Sequence, residues 1–388
     1  MIKRVFLLVY DSFGIGELPD AAQYGDQGSN TLASVAKSSE FKLPTLTSLG
    51  LFNIDGVDVG QPVLTARGAF GRMAEKSQGK DTTTGHWEMA GIISEKPMPT
   101  YPNGFPQDII ESLEEATGRK FLCNKPYSGT QVIVDYGRRH METASPILYT
   151  SADSVMQIAA HEDIVMLEEL YEICKKARKI MVGENAVGRI IARPFVGDFP
   201  NFTRTSNRQD FSVLPPKKTM LDYLTEEGLD TPSVGKIFDI FAGKGISQSV
   251  SALNNADAMA KTMRMLETDF CGLCFINLVD FDALYGHRND VDGYAKALAK
   301  ADESLADFIA DMGEKDLLLL TADHGCDPGT PSTDHSREYV PILAYGPALK
   351  ENINLGTRQS FADIAATVLD IFGIENDLPG QSFWNEIK

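Results

Sequence analysis

The stretch "LLLLTADHG", Leu317–Gly325, decides the fold. Its apolar residues are continuous rather than alternating, as expected of a strand covered by helices on both faces of a parallel sheet. The run stops at Asp323 and His324. Two other runs have the same form: "VFLLVYD", Val5–Asp11, and "LCFINLVDFD", Leu273–Asp282, which closes on Asp280 and Asp282. In open α/β sheets ligands bind beyond the carboxyl ends of the strands. The three runs are therefore expected to be neighbours, with their carboxylates converging.

Helical patterns alternate with these runs. Ala256–Asp269 ("ADAMAKTMRMLETD") and Val291–Met312 ("VDGYAKALAKADESLADFIADM") carry apolar residues at three- and four-residue spacing, which predicts amphipathic helices packed on the sheet. No internal repeat or low-complexity tract interrupts the pattern. The class is α/β with a mainly parallel sheet flanked by helices.

At 388 residues the chain is long for a single simple core. Prolines cluster in "EKPMPTYPNGFP" (95–106) and again in "VLPPKK" (213–218), and such density breaks regular structure. None of the Asp-ended strands falls between them. This predicts a core domain split into residues 1–97 and 217–388, with a smaller α/β cap domain inserted at 98–216.

A net charge of −18 argues against a general nucleic-acid or anionic-membrane binder, because both need a basic field. Val5–Tyr10 is too short to span a bilayer or to form the core of a signal peptide. Five cysteines, odd in number and sparse, fit a reduced cytoplasmic protein. Cys271 and Cys274 lie three apart in a strand-like run, so they point to opposite faces and read as packing residues.

The chemistry concentrates at the strand ends. Asp11, Asp282 and Asp323 are joined by His287, His324 and His335, half of the six histidines in the chain. Mixed carboxylate and imidazole donors suit Mn²⁺, Zn²⁺ or Fe²⁺. Six are too many for one four-coordinate ion but suit two, an arrangement that clamps a phosphoryl transfer. Taken singly, each Asp could equally cap a helix and each His pack on the surface; the conjunction favours metal.

"GKDTTTGHWEMAG", Gly79–Gly91, adds three adjacent hydroxyls. A hydroxyl is a weak nucleophile unless a metal activates it, and a Thr at the start of a helix would also have backbone N–H groups nearby to stabilise a phosphate. Residue chemistry leaves Thr82, Thr83 and Thr84 equivalent. Between 185 and 218, Arg189, Arg193, Arg204, Arg208, Lys217 and Lys218 outnumber Asp198 and Asp210. This basic island in an acidic chain suits either phosphate binding or an ordinary solvated face.

These motifs, with "YDSFGIGELPDA", "YTSADSVMQIAAHE", "GRIIARPFVGDFPNFTRT", "NLVDFDALYGHRND" and "TADHGCDPGTPSTDHSREYVPILAY", resemble the prokaryotic phosphopentomutase family over essentially the whole chain. That family sits in the alkaline phosphatase and cofactor-independent phosphoglycerate mutase superfamily. The resemblance implies an alkaline-phosphatase-like core and interconversion of the 1- and 5-phosphates of ribose or 2-deoxyribose, linking nucleoside catabolism to the pentose phosphate pathway. It implies two Mn²⁺ ions and a sugar bisphosphate activator such as glucose 1,6-bisphosphate. It implies Thr82 as the nucleophile, with Asp11, Asp323 and His324 on one metal beside Thr82, and Asp282, His287 and His335 on the other. Ser151, Asp153, Arg189, Arg204 and Lys236 match positions that hold the sugar phosphate, and Ile191 and Arg193 lie close to them in sequence. Thr84 and His86 read as loop-shaping residues. A metal-dependent phosphatase or phosphodiesterase of the same superfamily is the alternative.

Overall fold

The computed structural model describes residues 1–151 and 153–388. Two compact units emerge, Met1–Pro97 with Pro215–Lys388, and Met98–Leu214. In chain order the strands are β1 (Arg4–Tyr10) and β2 (Ala69–Met73). Then come β3 (Leu122–Pro126), β4 (Ile147–Thr150), β5 (Val155–His161), β6 (Arg189–Val196), β7 (Thr203–Arg204) and β8 (Gln209–Ser212). The last are β9 (Pro232–Val234), β10 (Gln248–Val250), β11 (Gly272–Leu278), β12 (Asp316–Thr321), β13 (Val340–Tyr345) and β14 (Ile353–Arg358).

The first unit is built on an eight-stranded sheet in the order β10-β9-β11-β1-β12-β13-β2-β14. The three apolar runs form its centre. β1 pairs in parallel with β11 on one side and β12 on the other, with Tyr10 opposite Leu278 and Val9 opposite Thr321. Every residue of β11 and β12 is buried, which is why neither run alternates. The register brings all three chains out of the sheet at the same edge. Only β13 runs against its neighbours, β12 and β2. It does so because the segment 322–339 turns back across that edge, and the return carries His335 with it.

Helices cover the sheet. The helix Val291–Asp311 buries Tyr294, Leu298, Leu305 and Phe308, and Phe308 meets Phe6 of β1 edge-on at 5.1 Å. Its Asp302 accepts the Thr45 and Leu46 N–H groups at 2.8 Å each, satisfying free donors at the start of the helix Pro44–Leu49. The helix Asn255–Leu266 packs beside it. No helix among the described residues is long and apolar enough to cross a membrane.

The second unit has a six-stranded sheet, β3-β4-β5-β6-β7 with β8 also paired to β6. Alternation now matters. Ile190 and Ala192 of β6 enter an apolar cluster with Ile109, Leu113, Leu170 and Ile173, from the helices Gln107–Thr117 and Leu167–Ile180. The opposite face is apolar only where the helix Gln131–Thr143 lies, around Val132, Ile133, Tyr149 and Phe195. Arg189, Ile191 and Arg193 share that face of β6 with Phe195 and lie outside the cluster.

Candidate metal centre

The site forms where β1, β11 and β12 end. Asp11 follows β1 directly and is completely buried, as is Asp323 two residues beyond β12. Asp282 lies in a single wide turn, Phe281–Tyr285, just past β11. Asp11 Oδ2 accepts from Asn277 Nδ2 at 2.8 Å, and Asp323 Oδ1 accepts from the Ser12 N–H at 3.0 Å. Each carboxylate is thus oriented by one oxygen. Asp11 Oδ1, Asp282 Oδ1 and Asp323 Oδ2 are buried without a hydrogen-bond partner among the described residues.

The histidines complete the arrangement. His324 Nε2 stands 3.2 Å from Asp323 Oδ2 and 3.5 Å from Asp11 Oδ1. His287 Nε2 and His335 Nε2 are each 3.2 Å from an oxygen of Asp282. All three rings spend Nδ1–H on a carbonyl: Gly325 O at 3.0 Å, Thr333 O at 2.7 Å and Lys80 O at 2.8 Å. Such bonds fix the tautomer and turn Nε2 toward the carboxylates, the usual support of a metal-binding histidine. His287 Nε2 and His335 Nε2 lie 3.1 Å apart, a separation natural for two ligands of one cation.

The electrostatics ask for positive charge. Burial pushes the Asp11 carboxyl up to about 7, and the nearby Asp323 and Asp282 carboxylates act in the same direction. Burial opposes ionisation of Asp323 too, but His324 beside it holds that carboxyl below the usual range. The His287 ring is pushed up to about 11, first by its hydrogen bond to Asp282 and then by contact with Cys326. Without a metal, ring protons neutralise the carboxylates; a divalent cation satisfies the same orphaned oxygens. Three donor groups satisfy ligand spacing, with atoms within 4.8 Å of one another: Asp11–Asp323–His324, Asp282–His324–His335 and Asp282–His287–Cys326. The residues therefore fit divalent metal.

The threonines are not equivalent in space. They open the helix Thr82–Met89, whose N-cap is Asp81. Asp81 Oδ1 accepts the Thr84 N–H at 3.1 Å, and Asp81 Oδ2 accepts the buried Thr84 hydroxyl at 2.5 Å. Thr82, in the first helical turn, puts Oγ1 3.2 Å from His324 Nε2. Thr84 and His86 thus belong to a helix, which corrects their reading as loop residues. The buried His86 ring bonds Thr82 O at 2.8 Å through Nδ1, lies 3.2 Å from Asp323 Oδ2, and faces Asn277 Nδ2 at 3.4 Å.

Two supporting residues escaped the sequence reading. Asn277 orients both Asp11 and His86; its only signal was one amide inside an apolar run. Arg337, almost wholly buried, donates to the Glu75 carboxylate at 2.6 Å, Gly79 O at 2.7 Å and Asp20 at 3.0 Å. It ties the segment entering the threonine helix to the one that carries His335. Partners so far apart in sequence left no signal.

In the second unit, Arg189 lies 3.7 Å from Asp210, Arg193 Nε donates to Gln157 at 3.0 Å, and Arg204 donates to Tyr149 Oη at 3.0 Å. Arg204 Nε is buried without a partner among the described residues. A Cβ on Gly129 would stand 1.5 Å from an Arg204 nitrogen, so glycine there makes room for the guanidinium. Burial, with Arg208 next, pushes Arg193 down to about 10. Ile191 is buried on the same strand, Ser151 is half-buried and Asp153 is exposed. Lys236 belongs to the first unit, after Gly235, and its charge reaches Asp11.

Comparison with known proteins adds to this geometry. The metalloenzyme superfamily model matches residues 3–376. The phosphopentomutase of Carboxydothermus hydrogenoformans is 58% identical over 388 residues, covering all of both chains. That of Lachnoclostridium phytofermentans is 56% identical over 386 residues, covering 99% of each. Among solved structures, Leishmania mexicana phosphoglycerate mutase at low cobalt concentration superposes with a TM-score of 0.51 at 14% identity, over 100% of this chain and 98% of its own. The PH0037 protein of Pyrococcus horikoshii gives the same TM-score and identity, over 98% and 99%. At such identity these two likenesses speak to the fold alone.

Proposed function

Because the chain belongs to the metalloenzyme superfamily and, within it, to the phosphopentomutases, we propose that it interconverts pentose 1- and 5-phosphates through a phosphothreonine at Thr82. The substrates are ribose or 2-deoxyribose phosphates, so the reaction joins nucleoside catabolism to the pentose phosphate pathway. The observation that carries the reading is the Thr82 hydroxyl at a helix start, 3.2 Å from His324 Nε2.

Asp11, Asp323 and His324, with Thr82 or its phosphate, would hold one divalent cation, and Asp282, His287 and His335 the other; Mn²⁺ suits both sets. When bound, such cations stabilise charge on the transferring group and favour the ionised hydroxyl. The protein's own part is positioning. In the phosphorylated enzyme, the pentose 5-phosphate offers O1 to the phosphoryl group on Thr82. The P–O bond to Thr82 breaks as the bond to O1 forms, giving a 1,5-bisphosphate. The sugar reorients, Thr82 Oγ1 takes back the 5-phosphoryl group, and the 1-phosphate leaves. The first backbone N–H groups of the threonine helix favour the anion. Arg189, Arg193 and Arg204, with Ser151, Asp153, Ile191 and Lys236, hold the sugar and its other phosphate; the orphaned Arg204 Nε supports an anion there. A bisphosphate such as glucose 1,6-bisphosphate primes Thr82. Five free cysteines support a cytoplasmic setting.

The test is intact-mass analysis after priming, beside an assay of pentose 1-phosphate conversion with Mn²⁺. One added phosphate is expected in the wild type and none in Thr82→Ala, with isomerisation lost. Phosphorylation that survives Thr82→Ala and disappears in Thr83→Ala would move the nucleophile. Stoichiometric release of inorganic phosphate with little isomer would instead make the enzyme a phosphatase.

A further inference from the structure

Cys326 is the cysteine that the metal-centre reading leaves without a task. It lies two residues past His324 and is 1% exposed. Its Sγ, a nitrogen of His287 and an oxygen of Asp282 all lie within 4.8 Å of one another. Donors around one cation at about 2.0–2.3 Å stand at most roughly 4.6 Å apart, so a small adjustment brings all three onto one ion. The thiol's hydrogen bond to Asp334 O is a weak one at 3.5 Å, which binding would give up cheaply, and its other contact is the His287 ring itself. A Cβ on Gly286 would come within 2.9 Å of Sγ, so glycine before His287 keeps the ring and the thiol close.

A second observation points to a ligand at the same place. Asp282 is 7% exposed, and its Oδ1 is buried without a hydrogen-bond partner among the described residues. His287 Nδ1 is tied to Thr333 O, which turns Nε2 inward. The other cysteines are differently placed. Cys174 and Cys274 are buried in the two cores, and Cys123 and Cys271 are half-exposed.

We propose that Cys326 is a sulfur ligand of the Asp282–His287–His335 cation site, and that it widens this site's preference for thiophilic divalent cations over Mn²⁺ beyond what nitrogen and oxygen donors alone give. The inference rests on the cation site proposed above and adds a donor to it. Carboxylate and imidazole accept Mn²⁺, whereas thiolate selects softer ions such as Zn²⁺, Co²⁺ or Cd²⁺. On binding, the S–H bond breaks, a sulfur–metal bond forms and the proton passes to solvent. The same chain would thus hold Mn²⁺ through oxygen and nitrogen alone and recruit the sulfur when a softer ion enters.

Cobalt tests this on the full-length protein, stripped of metal and titrated with Co²⁺ under nitrogen. Visible d–d absorption reports cobalt on any ligands; near-ultraviolet charge transfer reports a cobalt–thiolate bond. The wild type should show both, and Cys326→Ser and Cys326→Ala should keep the first and lose the second. A Cys123→Ser/Cys271→Ser variant should keep both. In competition, Cys326→Ser should lower the Zn²⁺/Mn²⁺ affinity ratio by roughly tenfold or more, no less than the loss of a ligand's outer partner costs. Visible absorption without charge transfer in the wild type would overturn the sulfur ligand while sparing the cation site. Charge transfer that persists in both Cys326 variants would overturn it as well. Absence of both signals would overturn the cation site and the sulfur ligand with it.

Discussion

At the scale of the residue, one carboxylate separates three identical side chains. Asp81 takes the Thr84 N–H with one oxygen and the Thr84 hydroxyl with the other. That leaves Thr84 buried and committed, and Thr82 turned toward His324. Asp81 is thus the N-cap of this helix. Replacing an N-cap Asp by Ala costs about 1 kcal/mol, so Asp81→Ala should lower the thermal unfolding midpoint, while Asp81→Asn, which still accepts the Thr84 N–H, should recover most of it. Unchanged midpoints in both variants would contradict the capping role. Sequence could present the triplet, but the hydrogen bonds that make its members unequal depend on a turn seen only in the fold.

At the scale of the element, the threonine helix works because it approaches the end of β12 closely. A Cβ on Gly85 would sit 2.1 Å from the Asp323 carbonyl oxygen. Backbone cannot yield there without moving Asp323 and His324. Gly85→Ala should therefore weaken metal binding by roughly ten- to a hundredfold, the range for lost support of a ligand, measured by Mn²⁺ titration of the stripped protein. Wild-type affinity in that variant would show that the helix can shift at no cost to the site. Arg337 holds the same neighbourhood from below. Its contacts to Glu75 O and Gly79 O fix the segment that leads into Asp81, and the Glu75 and Asp20 carboxylates balance its buried charge.

At the scale of the whole molecule, the metal-binding edge gathers three strand ends, the first far in sequence from the other two: Asp11 precedes Asp282 by 271 residues, and Asp282 precedes Asp323 by 41. Asp11, Asp282 and Asp323 repel one another in a buried place, and cations that bind only the folded arrangement must stabilise it by mass action. Chelation should lower the midpoint of the first unit's unfolding, and Mn²⁺ should restore it in a concentration-dependent way. A midpoint indifferent to chelator and to added Mn²⁺ would argue against metal at these residues.

The α/β class was legible in the sequence because helices on both faces demand uninterrupted apolar strands. β1, β11 and β12 carry that signature over their whole length. Six candidate donor residues stood out too, because carboxylates and imidazoles are conspicuous where apolar runs stop. What sequence could not give was contact. That β11, β1 and β12 are consecutive in the sheet, that Asn277 and His86 sit behind Asp11 and Asp323, that Arg337 answers Glu75 and Asp20, and that Cys326 faces Asp282 and His287 all depend on residues brought together from distant segments. Local pattern is written in residue order, so sequence determined the elements and the donor types. Hydrogen-bond direction and donor spacing are properties of the packed chain, so only the tertiary structure set Thr82 beside His324 and Cys326 beside Asp282 and His287.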